Sequence, residues 1–277
     1  MSALARVDAP QDLSRPATAG PSPVATVPAA IELDAATLAY RRRDVLSNLS
    51  LRIGHGERVA LIGPNGAGKS TVLRAVAGII RPRGGTVRLD GVAIDRLDRV
   101  AVARRLAVVP QLAALPFATT VEELVALGRL PHEDQLRGLR AADRLAVAAA
   151  IDRVGLAGLV GRDVRELSLG ERQLVLIGVA VAQAARVLLL DEPTVHLDLR
   201  HQVATMELLV DLNEHDGTTI LAVLHDVGLA AHLFPRLVVI AAGRIVADGP
   251  PRAVLTPELV REVFGVDPSL VRLPPTT

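Results

Sequence analysis

VALIGPNGAGKST, residues 59–71, decides how the rest of the chain is read. Four apolar residues, Val59 to Ile62, run directly into a glycine-rich stretch, and a helical pattern follows over 70–78. Strand, loop and helix in that order are what a phosphate-binding loop requires. Gly63, Gly66 and Gly68 let the backbone curl until successive N–H groups point at one anion. Lys69 reaches toward β- and γ-phosphates, the Ser70 hydroxyl suits Mg²⁺, and the helix start adds its partial positive charge. With Pro64, Asn65, Ala67 and Thr71 between and after them, these residues complete the Walker A pattern, and a chance glycine-rich turn explains the full match poorly.

Working outward, the second half of such a site is VLLLDE at 187–192, an apolar strand ending in two acids. Asp191 is placed to hold Mg²⁺, and Glu192 to orient and deprotonate a water. Two acids after a strand also occur as a plain helix start; beside the Walker A match the chemical reading prevails. Alternation at Leu49, Leu51 and Ile53 predicts a half-buried strand, and further strands are expected at 86–89, 106–109, 218–224 and 237–241, the last forming a hairpin with 244–247. Helices are expected over 121–129, 141–154, 171–184 and about 198–214. The roughly eighty residues between the strands at 106–109 and 187–190 are almost all helical in pattern. The fold class that follows is α/β, a P-loop NTPase with a mostly parallel sheet core, an antiparallel β part and an inserted helical subdomain at about 112–184.

Composition narrows the chemistry. Half of the 277 residues are apolar, but only three Phe, one Tyr and no Trp occur, so the core is aliphatic. Thirty-one basic and thirty acidic residues leave a net charge of +1, which offers no footprint for nucleic acid. The absence of cysteine excludes disulfides, thiolate catalysis and cysteine-ligated metal sites. Residues 1–28 carry Asp8, Asp12 and five prolines and read as a disordered extension rather than a secretory signal; 266–277 read as a tail. The most apolar run, LVLIGVAVA at 174–182, is about half the length of a membrane span, so any membrane contact is expected through a partner.

Walker motifs alone admit kinases, GTPases and helicases. The chain resembles the ATPase subunit of ABC transporters over about residues 31–265, on Tyr40, GPNGAGKST, Gln111 after LAVVP, LSLGERQ at 167–173, LLLDEPT, HLD at 196–198 and His225. That resemblance implies an ABC ATPase domain at 29–265, with ATP and Mg²⁺ as cofactors. It implies that Tyr40 stacks on adenine, Gln111 lies near Mg²⁺ and senses a membrane subunit, His225 contacts the γ-phosphate, and Asp198 lies at a dimer interface. Ser168 and Gly170 would complete the ATP site of the opposite subunit. From the residues themselves, Asp198 also serves as the cap of the helix that follows.

LSLGERQ departs from the family pattern at one letter. Ser168 and Glu171 are spaced as a capping box, so a well-started helix is expected there. Leu169 stands where the family usually has Gly. The first turn of a capped helix has negative φ, so no backbone strain is expected, and the open question is where the side chain points. An active ATPase that Leu169 can slow is the reading adopted, against a disabled signature.

The resemblance further implies a homodimer, or a pair with another ABC ATPase, working peripherally at the cytoplasmic face of the membrane with integral permease subunits and, indirectly, a substrate-binding protein. ALGRLPH at 126–132, DEPTVHLDLRHQ at 191–202 and TPELVREVFGVD at 256–267 look like the branch that imports iron-siderophore, haem or cobalamin chelates. Zinc or manganese importers, a nucleotide-gated module of weak turnover, and a soluble non-transport ABC ATPase are the alternatives.

Overall fold

The computed structural model describes residues 28–40, 43–111, 118–133 and 138–271, with the side chains of Tyr40, Arg43 and Leu270 outside the description. Two strands, β1 (Ile31–Tyr40) and β2 (Arg43–Ile53), pair antiparallel; β3 (Arg58–Ile62) then feeds the glycine-rich loop and α1 (Lys69–Val76). β4 (Gly84–Leu89) and β5 (Val92–Ala93) complete a four-stranded antiparallel sheet of order β2-β1-β4-β5. A short helix, α2 (Arg99–Ala103), leads to β6 (Leu106–Val109).

Between β6 and β7 (Val187–Asp191) the described chain is helical: α3 (Val121–Ala126) with a 3₁₀ extension to His132, α4 (Ala141–Arg153) and α5 (Leu169–Gln183). After β7 come α6 (Leu199–Glu214), β8 (Thr219–Val223), α7 (Val227–Leu233), and the strands β9 (Arg236–Ala241) and β10 (Arg244–Gly249). The second sheet has the order β10-β9-β3-β8-β7-β6, and every pairing except the β9–β10 hairpin is parallel. The expected elements are present, most with ends shifted by a residue or two, but β2 begins at Arg43 rather than Leu49 and α3 gives way to the 3₁₀ segment after Ala126. β1, β5, α2, α7 and the short helices within 251–259 are additions.

The alternation of β-strand side chains explains how two cores form. Ala60, Ile62, Leu188, Leu190, Ala222 and Val239 point to one face and pack with α3, α4, α5 and α6. Their neighbours Val59, Leu61, Val187, Leu189, Val223 and Val238 point to the other, against α1 and the antiparallel sheet. Central parallel strands covered on both faces read as continuous apolar runs for this reason. The loops at the carboxyl ends of β3, β7 and β8 are thereby fixed from both sides, and they carry the site.

The ALGRLPH segment clamps the end of α5. Arg129 donates to the Ala182 carbonyl at 2.8 Å and pairs with Asp143 at 3.0 Å, while His132 bonds the Gln183 carbonyl at 2.8 Å. These groups satisfy carbonyls that a helix end leaves open. The Gln183 side chain continues the link by donating to Leu106 O at 2.9 Å, at the start of β6.

Candidate functional site

The loop after β3 takes its shape from glycine. Gly63 has φ 146°, and a Cβ there would lie 2.0 Å from the Ile240 carbonyl oxygen, so no other residue fits between β3 and β9. Gly68 precedes α1 with φ 104° and supplies no side-chain cap; Thr71 N donates to the Gly68 carbonyl at 3.0 Å, and the N–H groups of Lys69 and Ser70 are left for an external acceptor. The Lys69 ammonium donates to the carbonyls of Gly63 and Pro64 at 2.8 and 3.1 Å. Burial pulls it below the usual lysine range, and the Glu192 and Asp191 carboxylates oppose that fall.

Ser70 Oγ donates to Asp191 Oδ1 at 3.0 Å, bringing together two expected Mg²⁺ ligands 121 residues apart in sequence. Burial pushes the Asp191 carboxyl above its ordinary range, an effect the Ser70 bond opposes and Glu192 reinforces. Two hard oxygen donors around an undercompensated carboxylate fit Mg²⁺, which characteristically takes one or two protein ligands and completes its shell with phosphate and water. No cluster of three or more His, Cys, Asp or Glu suited to a metal occurs among the described residues.

Glu192 follows Asp191 with φ 54°, a left-handed conformation that costs about 1–2 kcal/mol for a side chain of this kind. Its N–H is held by the Val223 carbonyl at 3.1 Å, so β8 fixes the turn. The carboxylate lies between two donors: Gln111 Nε2 bonds Oε2 at 2.9 Å, and His225 Nε2 bonds Oε1. Gln111 comes from the end of β6 and His225 from the end of β8. The structure therefore gathers Lys69, Ser70, Gln111, Asp191, Glu192 and His225 at one edge of the parallel sheet. The Gln111 amine is engaged with Glu192, leaving its amide oxygen for a metal. Tyr40 ends β1, and its stacking role falls outside the described side chains.

A model of the ABC transporter family matches residues 46–195. The cobalamin import ATP-binding protein of Halobacterium salinarum is 44% identical over 231 residues, an alignment that covers 81% of this chain but only 58% of that protein. The iron(3+)-hydroxamate import ATP-binding protein of Bacillus subtilis is 38% identical over 239 residues, covering 86% of this chain and 89% of the relative. A dimeric ATP-binding cassette in a post-hydrolysis state with ADP and Pi superposes with a TM-score of 0.69 at 28% identity, covering 80% of this chain and 99% of that one.

The chain belongs to the ABC transporter ATP-binding family.

The ABC signature region, LSLGERQ, is built as a capping box. Ser168 Oγ accepts from Glu171 N at 3.3 Å, and the Glu171 carboxylate accepts from Ser168 N at 2.8 Å. The Ser168 hydroxyl and N–H hold the Glu171 carboxyl below the usual range. Leu169 is the first residue of α5, lies outside the positive-φ region as expected, and is 44% exposed. Gly170 is required by a neighbour rather than by its own φ: a Cβ there would sit 2.2 Å from the His201 ring Cγ. His201 in turn bonds the Asp198 carboxylate through Nδ1 at 2.9 Å, and Asp198 caps α6 through His201 N, also at 2.9 Å.

Sequence reasoning placed Gly170 and Asp198 separately and missed His201, which joins them. The i, i+3 spacing of His201 from Asp198 is the signal that could have found it. The left-handed His196, φ 65°, was likewise invisible in the pattern of residue types.

Proposed function

We propose that this chain is an ATPase that powers import through separate membrane permease subunits, as part of a homodimer or of a pair with another ABC ATPase. The observation that carries the reading is Glu192, held by Gln111 and His225 directly beside the Ser70–Asp191 pair and Lys69. A carboxylate in that place accepts the proton of a water attacking the γ-phosphate, while Lys69 and the amides of the glycine-rich loop hold the β- and γ-phosphates. His225 fixes the orientation of the base and lies on the γ-phosphate side. Bound Mg²⁺, held by Ser70, Asp191 and the Gln111 oxygen, would neutralise charge on the phosphates. The capped start of α5, with Ser168 and Gly170, serves the second nucleotide across a dimer, which the dimeric form of the solved relative supports.

In this reading the permease subunits are other chains, with the ATPase peripheral on the cytoplasmic side and a substrate-binding protein upstream; no described helix is long and apolar enough to cross a membrane. The domain is assigned to 29–265, with 112–184 as the helical lobe that meets the permease and Gln111 at its hinge. The cobalamin and hydroxamate relatives favour a metal-chelate cargo of the siderophore, haem or cobalamin class. Steady-state phosphate release tests the enzyme assignment. Glu192→Gln should retain ATP binding and lose about 10²- to 10⁴-fold in rate, as removal of a general base does; turnover close to the parent would remove Glu192 from the role of base.

A further inference from the structure

β6 lies at the edge of its sheet and pairs with β7 alone among the described strands. On that side the Arg105 carbonyl accepts from Val187 N at 3.0 Å, so the next carbonyl, Leu106 O, faces away from β7. The Gln183 side chain takes it: Nε2 donates to Leu106 O at 2.9 Å and also to Ala103 O, where α2 ends. One amide, on the last residue of α5, thus spans the corner between α2 and β6. The ALGRLPH segment backs this corner. Gly128 runs so close to α5 that a Cβ there would sit 2.2 Å from the Val179 carbonyl oxygen, and His132 bonds Gln183 O at 2.8 Å. Arg104, the residue that closes α2, donates through Nε to Pro131 O at 2.8 Å. Past the far end of β6, Gln111 holds the Glu192 carboxylate at 2.9 Å.

We infer that Gln183 is a positioning residue for hydrolysis: by fastening the outer side of β6 to the end of α5, it sets where Gln111 presents its amide to Glu192. The inference rests on the proposed role of Glu192 as base, and assigns to Gln183 an action through Gln111 rather than on the nucleotide. A strand of four residues with a ladder on one side only has few bonds to hold it against sliding. An apolar side chain of similar length would fill the space of Gln183 but leave Leu106 O and Ala103 O without its donor. β6 could then shift, and Gln111 with it. A misplacement of about 1 Å, even one caused far from the reacting atoms, costs up to about 10²-fold in rate. The ALGRLPH segment supports the same corner from both sides, holding the backbone of Gln183 through His132 and the end of α2 through the Pro131 carbonyl.

The test measures steady-state phosphate release by the full chain over a range of MgATP concentrations. Gln183→Met, close in length but without donors, should lower kcat about tenfold and leave KM for MgATP within about twofold, because nucleotide binding is untouched. Gln183→Lys again offers donors to both carbonyls and should recover most of the rate, a rescue that packing alone would not give. In a Gln111→Ala background, itself slowed, Gln183→Met should lower kcat little further, as expected of two residues that act as a unit. Arg104→Ala, at an exposed link of the same corner, should give a smaller fall in kcat, likewise absorbed by Gln111→Ala, and it carries the test if Gln183→Met does not fold. Parental kcat in Gln183→Met, no recovery with Gln183→Lys, or an equal fall with and without Gln111 would overturn the inference. Parental kcat in Gln111→Ala would overturn it as well, since the amide being positioned would not matter. Parental turnover by Glu192→Gln is a separate outcome, which removes the base assignment itself and this inference with it.

Discussion

Replacing Gly170 with alanine should loosen the junction between the signature helix and α6, and the size of the effect follows from three terms. Gly170 is helical, so alanine by itself favours α5 by up to about 1 kcal/mol. Against that, the new Cβ would lie 2.2 Å from His201 Cγ, 2.4 Å from Cδ2 and 2.7 Å from Nδ1. Cγ is the root of the ring, so the whole imidazole must turn away, and overpacking of this kind costs about 1–3 kcal/mol. Turning also breaks the bond from His201 to Asp198. The net expectation is a loss of about 1–2 kcal/mol, or a fall of a few degrees in the melting temperature. Thermal or urea unfolding measures it, and His201→Ala supplies the internal control. In that background the clash is gone, so Gly170→Ala should become neutral or stabilising, giving a clear coupling energy. A Gly170→Ala chain as stable as the parent, or an equal loss with and without His201, would refute the packing argument.

Asp191→Asn should make the chain more stable at neutral pH in the absence of nucleotide while abolishing Mg²⁺-supported turnover. Burial raises the Asp191 pKa, so the folded chain binds that proton more tightly than the unfolded one. The charged carboxylate therefore costs stability above its raised pKa, and the advantage of the variant should vanish as pH falls below the ordinary carboxylate range, read from melting curves across pH. Glu171 has the opposite sign: its pKa is lowered by Ser168, so its contribution is complete above the ordinary range and is lost as pH falls through the lowered value. Glu171→Gln should flatten the acid limb of stability below the ordinary carboxylate range, while Ser168→Ala should cost about 0.5–2 kcal/mol through loss of the cap.

The phosphate loop was legible because its chemistry is written in backbone geometry: glycines at fixed spacing, then Lys69 and Ser70, between a strand and a helix. The capping box of α5 was legible for the same reason, since Ser168 and Glu171 meet within one turn. β1 was not, and its register explains why. Ile31 and Leu33 face the core, the chain bulges at Ala35 with φ 47°, and Ala36 and Leu38 resume on the shifted phase. A two-residue alternation is invisible across such a slip. β2 repeats the case: Leu46 is buried and Asn48 has φ 53°, so only the stretch from Leu49 onward alternates. α2 has no buried residue to give it a pattern. The Gln111–Glu192–His225 group spans gaps of 81 and 33 residues, and only the resemblance to the ABC family suggested it. The fit of Gly170 to His201 depends on how α5 and α6 cross, and no local pattern carries that.

The central claim is that two copies of this chain complete one another's ATP sites around Glu192. Native mass spectrometry of the Glu192→Gln chain in MgATP tests it most directly. The account predicts a complex of two chains retaining two unhydrolysed ATP molecules, absent without nucleotide and lost when Lys69→Ala is added. A single chain that binds ATP and converts it to ADP at the parental rate would contradict both the dimer and the base.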